Sequence, residues 1–141
     1  MTNTNVKLRL AIYLKGMSLD PVAVTLALGI KPTESQRFGE KNLTSTRREI
    51  TAKTGLWAYI VEADEGTVAD VIRRFICEME NCGNLVATLL DVDEAYLDLF
   101  IAHEAGPESD GEYFFEIKSE DLFLLSQFGL PIRTTVAAVT P

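Results

Sequence analysis

The sequence predicts an α+β domain, a mostly antiparallel sheet with helices on one face. Three observations predict it. Val6, Leu8, Leu10, Ile12 and Leu14 alternate with Lys7, Arg9, Ala11 and Tyr13, the period of a strand with one face on a core. Apolar stripes at helical spacing follow N-cap residues further along. The elements then succeed one another as strand, helix, hairpin, helix, hairpin, helix, strand. That succession places the first four strands and two helices in ferredoxin-like order, with a C-terminal hairpin-helix-strand extension. At 141 residues and 47% hydrophobic content, residues 1–141 form one domain with an ordinary core, which excludes disorder, collagen and coiled coil.

The first helix starts where Asp20 caps and Pro21 takes the first helical position, and it stops at Gly29. From Ile30 to Thr46 periodicity is lost, and a loop this long in a small domain is usually functional or mobile. Arg48 to Ala52 and Leu56 to Glu62, joined by Lys53-Thr54-Gly55, read as a hairpin. Its second arm puts Trp57, Tyr59 and Val61 on one face and Leu56, Ala58, Ile60 and Glu62 on the other, so both faces are expected to be largely covered. Thr67 and Asp70 form a capping box for a helix whose stripe is Val68, Val71, Ile72, Phe75, Ile76 and Met79. It is expected to end near Asn81 to Gly83.

Leu85 to Leu90 fits either a short buried helix or a strand, since periodicity does not separate the two over so few residues, and a helical turn is the preferred reading. Ala95 to Glu104 is the next strand, Glu104 to Glu112 its following loop with Gly106-Pro107 and Asp110-Gly111, and Tyr113 to Ile117 the returning arm. Ser119 is expected to cap a third helix running through Phe128, closed by Gly129, before a final strand from Ile132 to Val139. The stretches Ser18-Leu19-Asp20 to Leu28-Gly29-Ile30 and Ser119-Glu120-Asp121 to Phe128-Gly129-Leu130 are alike, through either internal duplication or shared capping chemistry.

Charge is unevenly spread. Net charge is -8, of a sign that repels nucleic acid and anionic membranes. Residues 1–53 carry +5, and residues 54–141 carry -13. Either the two halves compensate in the fold or the second offers an acidic docking face. No apolar run reaches the roughly 20 residues of a membrane span, and Met1 to Asn5 carry no secretion signal, so a cytoplasmic, bacterial protein is expected. Cys77 and Cys82, five apart on one predicted helix, are expected to stay reduced.

No catalytic constellation stands out. His103 is the single histidine and has no nucleophile at a telling spacing, so it reads as a partly exposed edge residue. One histidine and two separated cysteines predict no structural metal, and Asp91, Asp93 and Glu94 lack the glycine and closing glutamate of a calcium loop. No glycine-rich phosphate loop occurs, so no cofactor is expected. Trp57 reads first as core. Its second reading, with Arg37, Phe38, Lys41 and Arg47 of the basic loop, is a site for an anionic or aromatic ligand.

Leu28-Gly29-Ile30-Lys31-Pro32-Thr33, then Phe38-Gly39-Glu40, then Gly55-Leu56-Trp57 resemble a bacterial domain-of-unknown-function family, numbered 4279. Gly29, Ile30, Pro32, Thr33, Gly39 and Trp57 match its recurrent positions, whereas Phe38 stands where many relatives carry tryptophan or a basic residue. The resemblance implies a fold without an activity and supplies no catalytic residue. Two functions are therefore expected in turn. The first is a non-catalytic binding protein, in one form an immunity-type protein with an acidic face for a basic protein partner. The second is a small-ligand sensor or enzyme using the 30–46 loop and the Trp57 hairpin. Exposed strand edges would also permit a homodimer.

Overall fold

A computed structural model describes residues 6–104 and 112–139. In chain order the elements are β1 (Val6–Gly16), α1 (Pro21–Leu28), β2 (Glu34–Gln36), β3 (Lys41–Leu43), β4 (Glu49–Thr51), β5 (Gly55–Ala63), α2 (Val68–Glu78), α3 (Gly83–Val86), β6 (Glu94–Glu104), α4 (Ser119–Ser126) and β7 (Ile132–Val139). Five strands form one sheet in the order β2-β5-β1-β6-β7, and β3 and β4 form a separate ribbon. β1 lies antiparallel to β5 and β6, and β2 is antiparallel to β5, whereas β7 runs parallel to β6. The architecture is α+β with a mostly antiparallel sheet.

Period-two patterning decides which face is buried. Leu8, Leu10, Ile12 and Leu14 of β1 join Trp57 and Val61 of β5 and Leu97, Leu99 and Ile101 of β6 in one core. Each such side chain contributes about 1.5–3 kcal/mol when fully buried. The helices meet that face with Val24 and Leu28 of α1, Val71, Ile72 and Phe75 of α2, Val86 of α3 and Leu125 of α4. Asp20 Oδ1 accepts the Val22 N–H at 3.0 Å and Gly29 ends α1 at φ 72°. Thr67 and Asp70 make the reciprocal capping box of α2, and its backbone and side-chain hydrogen bonds with Thr67 hold the Asp70 carboxyl below its usual range.

Several expectations are corrected. Arg48 to Ala52 is not the hairpin partner of Leu56 to Glu62: Glu49–Thr51 pairs with Lys41–Leu43, and the outer neighbour of β5 is Glu34–Gln36. The bonds Gly39 N–H to Ala52 O (2.9 Å) and Ala52 N–H to Glu40 O (2.8 Å) carry the ribbon onward and draw β4 away from β5. The 30–46 loop thus contains two short strands. Tyr113–Ile117 forms no strand, so the C-terminal extension is a helix and a strand without a hairpin. Tyr113, Phe115 and Ile117 still pack against the core while Phe114 and Glu116 are exposed, which reproduces strand alternation without a ladder partner.

Smaller boundary differences have local causes. Lys118, not Ser119, is the N-cap of α4 and gives no side-chain cap. α2 ends at Glu78, so Cys82 lies beyond it as the N-cap of α3, and both thiols are free. Residues 83–86 do form a short helix, beginning two residues before the Leu85–Leu90 run. The second face of β5 is only partly covered: Ala58 is buried, Leu56 and Ile60 are half-buried and Glu62 is exposed. The Met1–Asn5 segment and most of the Glu104–Glu112 loop lie outside the described residues. Among the described residues no helix is long and apolar enough to cross a membrane.

Candidate functional site

The residues expected to hold a ligand do not converge. Trp57 is 0% exposed, and its Nε1 donates to Thr25 Oγ1 on α1 at 3.0 Å, so its indole bonds inward to a helix. Arg37 reaches back to Asp20 Oδ1 at 2.7 Å, and Lys41 Nζ faces Glu49 Oε1 at 3.5 Å across the ribbon. Phe38 is exposed, and Arg47 adopts φ 60° in the turn between β3 and β4. The basic loop is a solvated ribbon, and Trp57 takes the core role that was its first reading.

The family-matching positions are explained by backbone demands. Gly29 N–H donates to Thr25 O at 2.8 Å and closes α1 in the left-handed conformation that favours glycine. Ile30 packs against the core and half-buried Pro32 stiffens the exit. Thr33 then joins the edge of β5: its N–H donates to Ala58 O at 2.7 Å and its Oγ1 accepts the Ile60 N–H at 2.8 Å. Gly39 turns the chain at φ 82° into the ribbon. These residues hold α1 and β2 against β5.

His103 is the main correction on chemistry. It lies on the central side of the sheet, in β6 between β1 and β7, and is buried at 4% exposure instead of standing at an edge. Its ring stacks on Tyr113 with centroids 5.4 Å apart. It also borders a hollow of about 420 Å³ at the Val6 end of the sheet, lined by Val6, Lys7, Asp64, Ala102, Glu104 and Val139 as well. This open hollow mixes one ammonium with two carboxylates. The sequence carried no signal for it, because Lys7, Asp64 and His103 come from three strand ends that only the pairing of β1, β5 and β6 brings together. Among the described residues no group of three or more His, Cys, Asp or Glu is placed to hold a metal ion.

On the face away from the helices, polar and aromatic side chains pack on one another, although Arg9 Nε is buried without a hydrogen-bond partner among the described residues. Tyr13 and Tyr96 rings lie 5.4 Å apart, Lys15 Nζ donates to Tyr96 Oη at 2.9 Å, and the Arg9 guanidinium lies 5.0 Å from the Phe100 centroid. Arg133 covers Tyr96 at 3.7 Å and pairs with Glu94 at 2.7 Å. A stacking platform for bases needs free ring faces. Tyr96 is instead capped by its own neighbours.

Two titratable groups are coupled above α2. Tyr59 Oη donates to Glu78 Oε1, and Arg74 Nε donates to Glu78 Oε2 at 2.8 Å. Burial, then the bond to Glu78, pushes the Tyr59 phenol up to about 12. Burial raises the Glu78 carboxyl, but the bonds from Tyr59 and Arg74 outweigh it and leave the group lowered. A raised phenol pKa means that folding favours the protonated form. Its stabilisation is complete below the ordinary phenol value of 10.0 and is lost as pH rises through about 12. Burial also raises Tyr13 and Tyr113, so ultraviolet titration of phenolate is expected to lose its component near about 12 in Tyr59→Phe while the other late phenols remain; a Tyr59→Phe profile identical to wild type would contradict the bond to Glu78. Cys82, whose Sγ donates to Leu28 O at 3.5 Å, is held above its usual value by burial and is an inert thiol.

Among the described residues each ion pair forms within one half of the chain. Arg37–Asp20 and Lys41–Glu49 lie within residues 1–53. Arg73–Asp121, Arg74–Glu78 and Arg133–Glu94 lie within residues 54–141. The pair at 3.9 Å between Arg73 and the buried Asp121 joins α2 to α4. In comparison with known proteins, a family model described as a domain of unknown function matches residues 4–138. No curated protein and no solved structure matches the chain.

Proposed function

The chain belongs to that family, DUF4279, over nearly its whole length, and from that premise we propose a non-catalytic binding protein whose acidic surface docks a basic protein partner. The segregation of the ion pairs among the described residues carries this reading. Within residues 54–141, where net charge is -13, three of the four cations are already held in pairs by acids of the same segment. Glu65, Glu80, Asp91, Glu116 and Glu120 remain exposed. A potential of one sign over a surface speeds encounter with a partner of the other. An immunity-type protein that occupies the basic active site of a toxin such as a nuclease is one form of this function. The four strands β2-β5-β1-β6 with α1 and α2 on one face support a ferredoxin-like reading of the fold, with the ribbon inserted and β7 added.

The test uses a basic protein encoded beside this chain's gene, titrated calorimetrically at low and high ionic strength. Affinity is expected to fall about tenfold or more as salt screens the pair, and the triple change Glu80→Lys, Glu116→Lys and Glu120→Lys is expected to slow association. Affinity indifferent to salt, or association unaltered by the three reversals, overturns the reading.

A further inference from the structure

The two edges of the sheet are finished differently. β2 is three residues long, contains Glu34, and is extended by Thr33, whose Oγ1 takes the Ile60 N–H beyond the reach of the strand. Short length and charge are the usual protections of a sheet edge. β7 has neither. It runs for eight residues without proline, glycine, lysine or acid, and all of them except Ala137 are exposed, Val136 at 49% and Val139 at 48%. Its one charge, Arg133, is turned back onto β6, where it pairs with Glu94 and covers Tyr96. Strands in parallel pairings are normally covered on both faces. Among the described residues β7 pairs in parallel and is exposed on both.

We propose that β7 is the seam of a homodimer, in which two copies of this chain pair antiparallel about a two-fold axis and join their sheets into one. Unlike a side-chain patch, a strand edge offers alternating N–H and C=O groups that another strand answers in full, and a two-fold makes one edge its own complement. Self-complementarity selects a second copy, and charge permits it only at an edge free of acids. Each chain is -8 and repels its like, so association is easiest where acids are missing, and β7 has none. A basic partner is drawn instead to the acidic surface elsewhere. With the axis at Thr135, Arg133 lies opposite Ala137 of the partner subunit; with the axis at Val136, it lies opposite Val139 of the partner subunit. Neither register opposes like charges.

Sedimentation velocity of the full chain over a wide concentration range is expected to show a species of twice 15.6 kDa that dissociates on dilution. The double variant Thr134→Lys, Val136→Lys changes exposed positions and brings lysines together across the axis in either register. It is expected to be monomeric, with an unchanged circular dichroism spectrum and the melting temperature of dilute, monomeric wild type. Hydrogen exchange of wild type reads the same seam independently, since outward amides of residues 132–139 become protected as concentration rises. A chain that stays monomeric throughout overturns the proposal. So does a dimer that survives both lysines, or one whose β7 amides exchange freely.

Discussion

Replacing Trp57 by alanine is expected to lower the unfolding free energy by about 3–5 kcal/mol. The indole is fully buried on the helix-facing side of β5, between the sheet and α1. Truncation removes its apolar contacts, opens a cavity in a close-packed interior, and leaves Thr25 Oγ1 without the indole N–H. A domain of this size has a total stability of about 5–15 kcal/mol, so the variant loses a large share of it. Urea unfolding followed by circular dichroism measures the loss as a lower midpoint at unchanged slope. Thr25→Val separates the two contributions: it keeps the volume and is expected to cost only the unsatisfied N–H, about 1–3 kcal/mol. A loss below about 1 kcal/mol for Trp57→Ala would mean that the indole is not in the core.

Gly16→Ala is the second large effect, and its cause is contact with backbone. A Cβ at Gly16 would lie 2.1 Å from Asp91 O, where the chain crosses the end of β1. The crossing segment has no room to retreat: Asp93 N–H donates to Lys15 O at 2.8 Å, Met17 N–H donates to Asp93 Oδ2 at 3.0 Å, and Asp91 is held at φ 62°. Gly16 also pairs with Gly55, whose own Cβ would meet Gly16 O at 2.5 Å. Overpacking of side chains costs about 1–3 kcal/mol, and here fixed backbone must move, so a loss of about 3 kcal/mol or more is expected. Gly29→Ala is the control. Nothing lies within 4 Å of a Cβ there, and the cost is the left-handed backbone alone, about 1–2 kcal/mol. Equal losses at the two glycines would refute the steric account.

The elements that the sequence revealed are those whose signals are local. Asp20-Pro21 with Gly29, and Thr67 with Asp70, satisfy their own helix ends within a few residues, and both helices begin where those residues place them. β1, β6 and β7 were legible from alternation or β-branched content. β2 was not, because Glu34-Ser35-Gln36 has no apolar alternation and is a strand only through its bonds to β5. Tyr113 to Ile117 misled for the opposite reason, having the alternation of a strand without a partner strand. The candidate site divides in the same way. Charge segregation was visible in the composition of the halves, but whether they cancel depended on which acids each cation meets. Trp57 shares a short stretch of chain with the basic loop, yet its ring turns to α1.

By itself the sequence determined the α+β class, the core face of each long strand, the caps of α1 and α2, the family and the uneven charge. Each follows from neighbours within a turn or two of chain, or from composition. The tertiary structure alone decided that β2 and not β4 borders β5, that His103 is interior, and, among the described residues, that the ion pairs stay within their own halves and that β7 ends the sheet with an exposed edge. Those outcomes depend on contacts between residues tens of positions apart, and local periodicity places a side chain on a face without saying what it will face.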